Sequence, residues 1–236
     1  MEKLLYPLWK AEGLGADAFR DALLAWSRGL LAHASLPGLR LAVVDSAVAP
    51  AAGRRLSSGA ALPDALLSVW LRDTGARAPL EAALVDQVAR FACYRVREAE
   101  PLVYRASAPD GRVPGMCQVA FLHRPARLSE EAWLSLWQGS HTRVAIETQG
   151  TFGYRQNVVE QSLDGGGAPP DAVVEENFPP EAMTSEYAFY GVAPGDDASL
   201  VKRRDELMAS CARFIDFDRI DVVPMTEYLL LAPPGG

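Results

Sequence analysis

The residues that most clearly could do chemistry lie on one predicted helix near the middle of the chain. Trp133, Trp137 and His141 recur every four residues, which places them on one helix face that Val144 continues. An imidazole titrates near neutrality, and burial among indoles beside an acid can tune it as a general base or acid. His141 is therefore the candidate proton carrier, and a structural histidine that hydrogen-bonds across the core is the alternative.

The strand predicted after this helix supplies Tyr154 and Asn157 as further polar candidates. Side chains alternate between the two faces of a strand, so these two positions face opposite sides unless a bulge intervenes. Only one of them can therefore share a cavity with His141. Of the two, Asn157 fits a structural hydrogen bond better.

A third predicted strand carries the adjacent acids Glu175 and Glu176. One of them could orient the imidazole of His141, since a carboxylate is a common partner of a working histidine. The alternative interpretation is that they are solvated charges at the edge of the sheet.

Two other segments hold residues that could reach a substrate. His123 ends the strand before the helix, where it is either a binding residue or a surface residue. Tyr187 and Tyr190 lie in the insertion EYAFYG (186–191), which either covers a pocket and offers phenols to a substrate or serves packing alone.

The elements that would position these residues occur twice along the chain. Residues 8–27 align with residues 122–141 at a constant offset of 114, and an offset of 115 then aligns 39–48 with 154–163. Each copy predicts the order β-α-β-β-α-β, which is the split β-α-β unit of ferredoxin-like folds. The repeat thus predicts one supersecondary unit used twice.

These patterns predict the α+β class, with ferredoxin-like repeats at 1–104 and 116–232 joined by a linker at 105–115. An antiparallel sheet with helices on one face leaves its other face in need of cover. We therefore expect the two sheets to pair as an intrachain dimeric α/β barrel; two sheets that merely share an edge are the alternative.

The two copies differ at the positions that could do chemistry. Ser27 aligns with His141, and Trp9 aligns with His123. The fold therefore does not require histidine at either position, which predicts one active half and one degenerate, structural half.

Composition excludes several classes of function. The 236 residues carry 30 acidic and 23 basic side chains, a net charge of −7, which argues against binding to nucleic acid or an anionic membrane. No apolar run has the length of a membrane span, and no signal peptide is evident. The glycines at 165–167 suggest a hairpin loop and not a nucleotide-binding motif.

The cysteines and histidines also lack the spacing of known structural sites. Cys93, Cys117 and Cys211 form no C-x-x-C pair, and the three histidines show no metal-ligand spacing. We therefore expect no disulfide framework, no metal site and a reducing, cytoplasmic location.

The second half resembles the EthD domain family of the dimeric α/β barrel superfamily. The family pattern is an aromatic-x-x-x-Trp-x-x-x-His helix followed by a Tyr-x-x-Asn strand, carried here by Trp133, Trp137, His141, Tyr154 and Asn157. The match covers residues 116–230, and the first half follows it only as a degenerate copy. Most family members resemble half-length chains that dimerise, so the resemblance implies a fused pair.

The resemblance implies a cofactor-independent lyase, isomerase or cyclase. Its substrate would be small, mostly apolar and oxygenated, such as a lactone, a phenol or a polyketide-like ring. In this hypothesis His141 moves the proton, Tyr154 or a tyrosine of the insertion hydrogen-bonds the developing oxyanion, and Trp133 and Trp137 wall the pocket. The further candidates for substrate contact are His123, Asn157, Tyr187 and Tyr190.

Two other functions are compatible with the same residues. One is a non-catalytic protein that binds a small ligand in the same cavity. The other is a haem protein with His141 or His123 as the axial ligand. The fused chain could also form a homodimer.

Overall fold

A computed structural model describes residues 1–33, 35–105, 107–165 and 168–233 of the chain. Ala106 of the predicted linker and Gly166 and Gly167 of the predicted glycine loop lie outside the described residues. No helix within the described ranges is long and apolar enough to cross a membrane.

The first half of the chain alternates strands and helices. Its regular elements are β1 (Glu2–Trp9), α1 (Ala16–His33), β2 (Gly38–Val43), β3 (Ala65–Leu71), α2 (Ala78–Leu84), β4 (Arg90–Phe91) and β5 (Tyr94–Leu102). A 3-10 segment, Ser46–Arg54, follows β2 and is capped by Asp45, whose carboxylate accepts from the amide of Ala47 at 3.1 Å. The strand predicted at 39–48 is therefore shorter than expected, because this cap ends it.

Besides a 3-10 turn at Pro180–Met183, the described part of the second half contains four α-helices, one π-turn and four strands. These are β6 (Met116–Leu122), α3 (Glu130–Leu136), a π-turn (Trp137–His141), α4 (Thr142–Thr148), β7 (Gly153–Ser162), β8 (Ala172–Phe178), α5 (Glu186–Phe189), α6 (Asp197–Cys211) and β9 (Asp221–Leu231). Gly115 begins this half with φ +84°, and a Cβ there would lie 1.9 Å from the carbonyl oxygen of Phe178. Only glycine fits that approach of two backbones.

Eight of the strands close into one antiparallel barrel. The order around it is β1-β3-β2-β9-β6-β8-β7-β5, and β5 pairs again with β1 to complete the ring. The short β4 pairs with β1 beside β5. Closure removes the free sheet edges, and it confirms the α+β class and the barrel expected from the sequence.

Alternation along the strands divides the core into three parts. Outward-facing residues of β1, β2 and β3 pack with α1 and α2, and those of β6, β7 and β8 pack with α3, α4 and α6. The third part is formed by strand residues alone, such as Leu5, Val119 and Met225, and fills the barrel interior. Helices on the outside and side chains inside explain why most strands are buried on both faces.

One end of the barrel interior is charged. It holds the cations Lys3, Arg40 and Arg155 and the carboxylates Glu98, Glu100, Glu175 and Glu227. The ammonium of Lys3 donates to Glu98 at 2.7 Å and to Asn157 at 2.8 Å. Arg155 donates to Glu227 at 2.8 Å. Because these charges are buried, each depends on its partners in place of water.

One pattern in the sequence disagrees with the structure. The amphipathic spacing of residues 80–91 favours a helix over that range, but α2 ends at Leu84, and Arg90–Phe91 form the short strand β4. The tertiary pairing of this strand with β1 overrides the local helical pattern.

Replacement of Arg155 with leucine should lower the free energy of unfolding by about 3–5 kcal/mol, because Glu175 and Glu227 would stay buried without their cation. Urea unfolding followed by circular dichroism measures the change. Arg143→Leu is the matched control, since Arg143 pairs with Glu147 on the surface, where an ion pair contributes about 0–1 kcal/mol. Equal unfolding midpoints for the two variants would contradict the proposed importance of the interior network.

Candidate functional site in the second half

The helix that carries the predicted site is interrupted by a π-turn. α3 starts at a Ser129 cap, whose hydroxyl accepts from the amide of Ala132, and the π-turn spans Trp137–His141 before α4 begins. The extra residue moves the inward face by one position, so Ala145 is buried where the sequence predicted Val144. The expected spacing was wrong at that residue because it assumed a regular helix. Such turns occur frequently at functional sites.

The two tryptophans of this helix do different things. The indole of Trp133 donates to the carbonyl of Phe214 at 3.0 Å and is buried away from the cavity described below. The indole of Trp137 donates to the phenolic oxygen of Tyr154 at 3.3 Å and forms part of the cavity wall. The structure thus brings Trp137 and Tyr154 together and uses Trp133 as packing.

His141 is buried beside the cavity with a neutral partner. Its Nδ1 lies 3.0 Å from the hydroxyl of Ser210, and its ring centroid lies 4.6 Å from that of Phe214. Burial and the nearby charge of Arg213 lower the pKa of His141 to about 4. The expected carboxylate neighbour is a serine hydroxyl instead, and the imidazole is uncharged at neutral pH.

The cavity lies between the outer face of the second-half sheet, the π-turn and helix α6, with a volume of about 300 Å³. Its walls are mostly apolar, and polar groups from Gln118, Glu176, Tyr154, His141 and Gln149 line it. A small apolar cavity with few polar groups is the usual form of a small-molecule site.

The first half also contributes to this cavity, through Arg54 at the end of the 3-10 segment. Its Nε donates to the carbonyl of Ala182 at 2.6 Å, and its guanidinium lies 4.2 Å from the ring centroid of Phe189. Arg54 also pairs with Glu186 at 3.2 Å. One guanidinium thus holds the segment that places Phe189 and Tyr190 over the cavity.

A row of polar side chains crosses three strands on the cavity floor. Strand register places Glu176 of β8 opposite Gln118 of β6 on one side and opposite Tyr154 of β7 on the other. Directly opposed residues have Cβ atoms about 4.5–5.5 Å apart, so the carboxyl, the amide and the phenol are neighbours.

Glu176 has no cationic partner among the described residues. When the amide of Gln149 is oriented so that its nitrogen faces acceptors, that nitrogen donates to the carbonyl of Ala145 and to Oε1 of Glu176, each at 3.1 Å. Burial raises the pKa of Glu176 to about 7, and the hydrogen bond with Gln118 only partly offsets this effect. A carboxyl that titrates near neutrality in a cavity is suited to acid–base chemistry.

Neither acid of the Glu175–Glu176 pair is a solvated edge charge. Glu175 is 2% exposed and faces the barrel interior, where Arg155 and Lys3 hold its pKa below the usual range against the opposing effect of burial. Glu176 is 8% exposed and faces the cavity. No hydrogen bond or ion pair in the described part of the chain joins either acid to His141. The interpretation that one of them orients the imidazole was therefore wrong.

The other predicted site residues are dispersed. Asn157 lies inside the barrel, bonded to Lys3 and Glu175, and does not line the cavity. Tyr154 and Asn157 thus face opposite sides, as alternation predicts. His123 lies at the far end of the barrel, where its Nδ1 is 3.1 Å from Arg219.

The two tyrosines of the insertion also separate. The hydroxyl of Tyr187 bonds to Asp197 on the surface, whereas Tyr190 is buried and lines the cavity. Of the eight residues predicted from the sequence, the structure brings His141, Trp137, Tyr154 and Tyr190 to one cavity.

Sequence reasoning missed several residues that line the cavity. Gln118 and Gln149 carried no motif, and Arg54 lies in the opposite half of the chain. The strand register could have indicated Gln118 and Glu176, because both share the face of Tyr154 once β6, β8 and β7 are aligned. Within the described ranges, no group of three or more histidine, cysteine or acidic residues could hold a metal ion.

Comparison with known proteins defines the fold. No protein-family model and no curated protein matches the chain. Among solved structures, it is similar to an anthrone oxidase-like protein at 10% identity and TM-score 0.52, covering 100% of this chain and 93% of that one. It is also similar to a protein provisionally named a monooxygenase, from Fusobacterium nucleatum subsp. nucleatum. The sequence identity is 7% and the TM-score is 0.53, and the match covers 100% of this chain and 94% of that one.

A third similar structure is a mutant chlorite dismutase from Candidatus Nitrospira defluvii, at 12% identity and TM-score 0.50, covering 96% of this chain and 91% of that one. These proteins share the dimeric α/β barrel fold. At such identities the likeness establishes the fold, and function has to be argued from the site.

The raised pKa of Glu176 should make stability depend on pH. The folded chain keeps this proton up to pH about 7, whereas the unfolded carboxyl releases it near its ordinary value of 4.5. The free energy of unfolding should therefore fall as pH rises through this window, by on the order of 3 kcal/mol. Glu176→Gln should remove most of that slope in chemical denaturation, and Glu147→Gln on the surface should not. Parallel slopes in wild type and Glu176→Gln would refute the assignment.

Proposed function

We propose, with the dimeric α/β barrel fold as premise, that this chain is a cofactor-independent acid–base enzyme of the isomerase, lyase or cyclase type. Its substrate is a small, neutral, mostly apolar ring compound that carries a carbonyl or phenolic oxygen. The cavity of about 300 Å³ matches the lower end of the size range of small-molecule sites and suits one or two rings.

The observation that carries this proposal is the pairing of Glu176 with Tyr154 on the cavity floor. Glu176 is a buried carboxyl without a cation and can exchange a proton near neutral pH. The oxygen of Tyr154 accepts from Trp137, and burial raises the pKa of the phenol, so its proton is retained for donation. A proton acceptor and a hydrogen-bond donor thus lie side by side.

This pair can move a proton next to a carbonyl group. The carboxylate of Glu176 takes the proton from the carbon adjacent to the carbonyl, and the electron pair shifts onto the carbonyl oxygen. Tyr154 donates a hydrogen bond to the oxygen as its negative charge develops. Protonated Glu176 then returns the proton to the same or another carbon, which restores the carboxylate. A ketosteroid isomerase uses the same division of roles.

His141 is the rival proton carrier. Its lowered pKa makes it a weak base, but it lines the same cavity, and Ser210 fixes only one of its two ring nitrogens. In the proposed reaction it is an uncharged polar wall beside the substrate. The two assignments differ in which residue sets the pH dependence of the reaction.

Solvent deuterium exchange into 2-tetralone, followed by NMR, should test the reaction. The exchange rate should rise with pH with a midpoint near 7 as Glu176 ionises. Glu176→Gln should lower the rate about a hundredfold or more, and His141→Asn much less. Tyr154→Phe should lower it by removing the donor to the oxyanion.

Each alternative result has a definite meaning. A loss confined to His141→Asn would make His141 the proton carrier. Binding of 2-tetralone without exchange in wild type would favour the non-catalytic binding protein.

We also propose that the chain is a fused tandem of EthD-like, ferredoxin-like units, with residues 1–104 degenerate, 105–115 as the linker and 116–232 carrying the site. The strand order β5-β1-β3-β2 in the first half and β9-β6-β8-β7 in the second supports this proposal. Arg40 and Arg155, which align at an offset of 115, both point into the barrel.

Haem with His141 as its axial ligand, one form of the third possibility from the sequence, does not fit this cavity. A four-pyrrole macrocycle with two propionates is larger than the one- or two-ring ligands that about 300 Å³ accommodates, and the cavity lining includes the acid Glu176, which disfavours a dianionic group. Arg54 is already engaged by Ala182, Glu186 and Phe189.

Titration with haem should therefore give no shifted absorbance band that depends on His141. A shifted band that is lost in His141→Ala would instead establish an axial ligand and overturn this conclusion.

A further inference from the structure

The mouth of the cavity is surrounded by large apolar side chains that are exposed to solvent. Leu56, Met208 and Phe217 are 51%, 46% and 48% exposed, and all three line the cavity that holds Glu176. We call these three residues the apolar rim. Apolar groups of this size gain free energy when they are covered, so a rim around one opening indicates a covering group.

The rim is assembled from three separate parts of the chain. Leu56 follows the 3-10 segment of the first half, Met208 lies on α6, and Phe217 lies in the turn before β9. Val201, seven residues before Met208 and therefore on the same face of α6, is 45% exposed and extends the apolar surface along the helix.

The rim continues the cavity outward and is not an isolated patch. The volume of about 300 Å³ suits one or two rings, so a longer ligand would extend through the open mouth along the rim. The three rim side chains are an aliphatic group, a thioether and a phenyl ring, which suit contact with a hydrocarbon chain.

We propose that the ligand of this site is amphipathic, with an oxygenated ring in the cavity and an apolar tail on the rim. This inference rests on the proposed function for the position of the ring and adds the tail. Tail binding should follow the hydrophobic effect, in which a fully buried methylene contributes about fourfold in affinity. A tail covered on one side should contribute about twofold per methylene.

A series of 4-alkylphenols, from phenol to 4-hexylphenol, provides the test by isothermal titration calorimetry. We expect affinity to rise by about twofold per added methylene. Phe217→Ser and Met208→Ser should each reduce this chain-length dependence. Val85→Ser is the matched control, since Val85 is 60% exposed beyond α2 and should leave the dependence unchanged. Substitution of exposed side chains seldom perturbs folding.

Two results would overturn the proposal. One is equal affinity across the series while phenol still binds, which leaves the proposed function intact. The other is a concentration-dependent dimer in light scattering that Phe217→Ser dissociates, because the rim would then be an interface between copies. A third result would separate the two proposals. If affinity depends on chain length and on the rim, but Glu176→Gln leaves the affinity for phenol unchanged, the tail is supported and the proposed function is contradicted.

Discussion

The ion pairs inside one end of the barrel are the interaction on which the rest of the structure depends. Lys3 of the first half bonds to Asn157 and Glu175 of the second, and Arg40 of the first half lies 3.9 Å from Glu227 of the second. Removing any one of these groups from water is costly, and the cost is offset only when all the partners are in place. The network therefore joins the two halves and favours the strand register that brings its opposite charges together.

Strand register in turn decides the chemistry of the outer face. With Glu175 held inside by Arg155, the next residue, Glu176, must point outward to the cavity, beside Tyr154 and Gln118. Two adjacent glutamates thus acquire opposite properties: cations keep one ionised, and burial without cations brings the pKa of the other to about 7. A one-residue slip of β8 would exchange the two.

The site also depends on both halves of the chain. Arg54 reaches across to hold the segment that covers the cavity, and Leu56 completes its apolar rim. The π-turn sets Trp137 and His141 against this cavity while the helix continues into α4. The first half thus helps to shape the pocket of the second.

The sequence by itself determined the class of fold, because strand alternation and helix periodicity are local patterns that can be recognised without tertiary information. It also determined that Tyr154 and Asn157 face opposite sides, since strand geometry requires it. It could not determine which residues face inward after the π-turn, that the partner of His141 is the neutral Ser210, or that the pKa of Glu176 is raised. Those depend on which side chains meet across strands and how much water they lose, and only the closed barrel with its covering helices decides that.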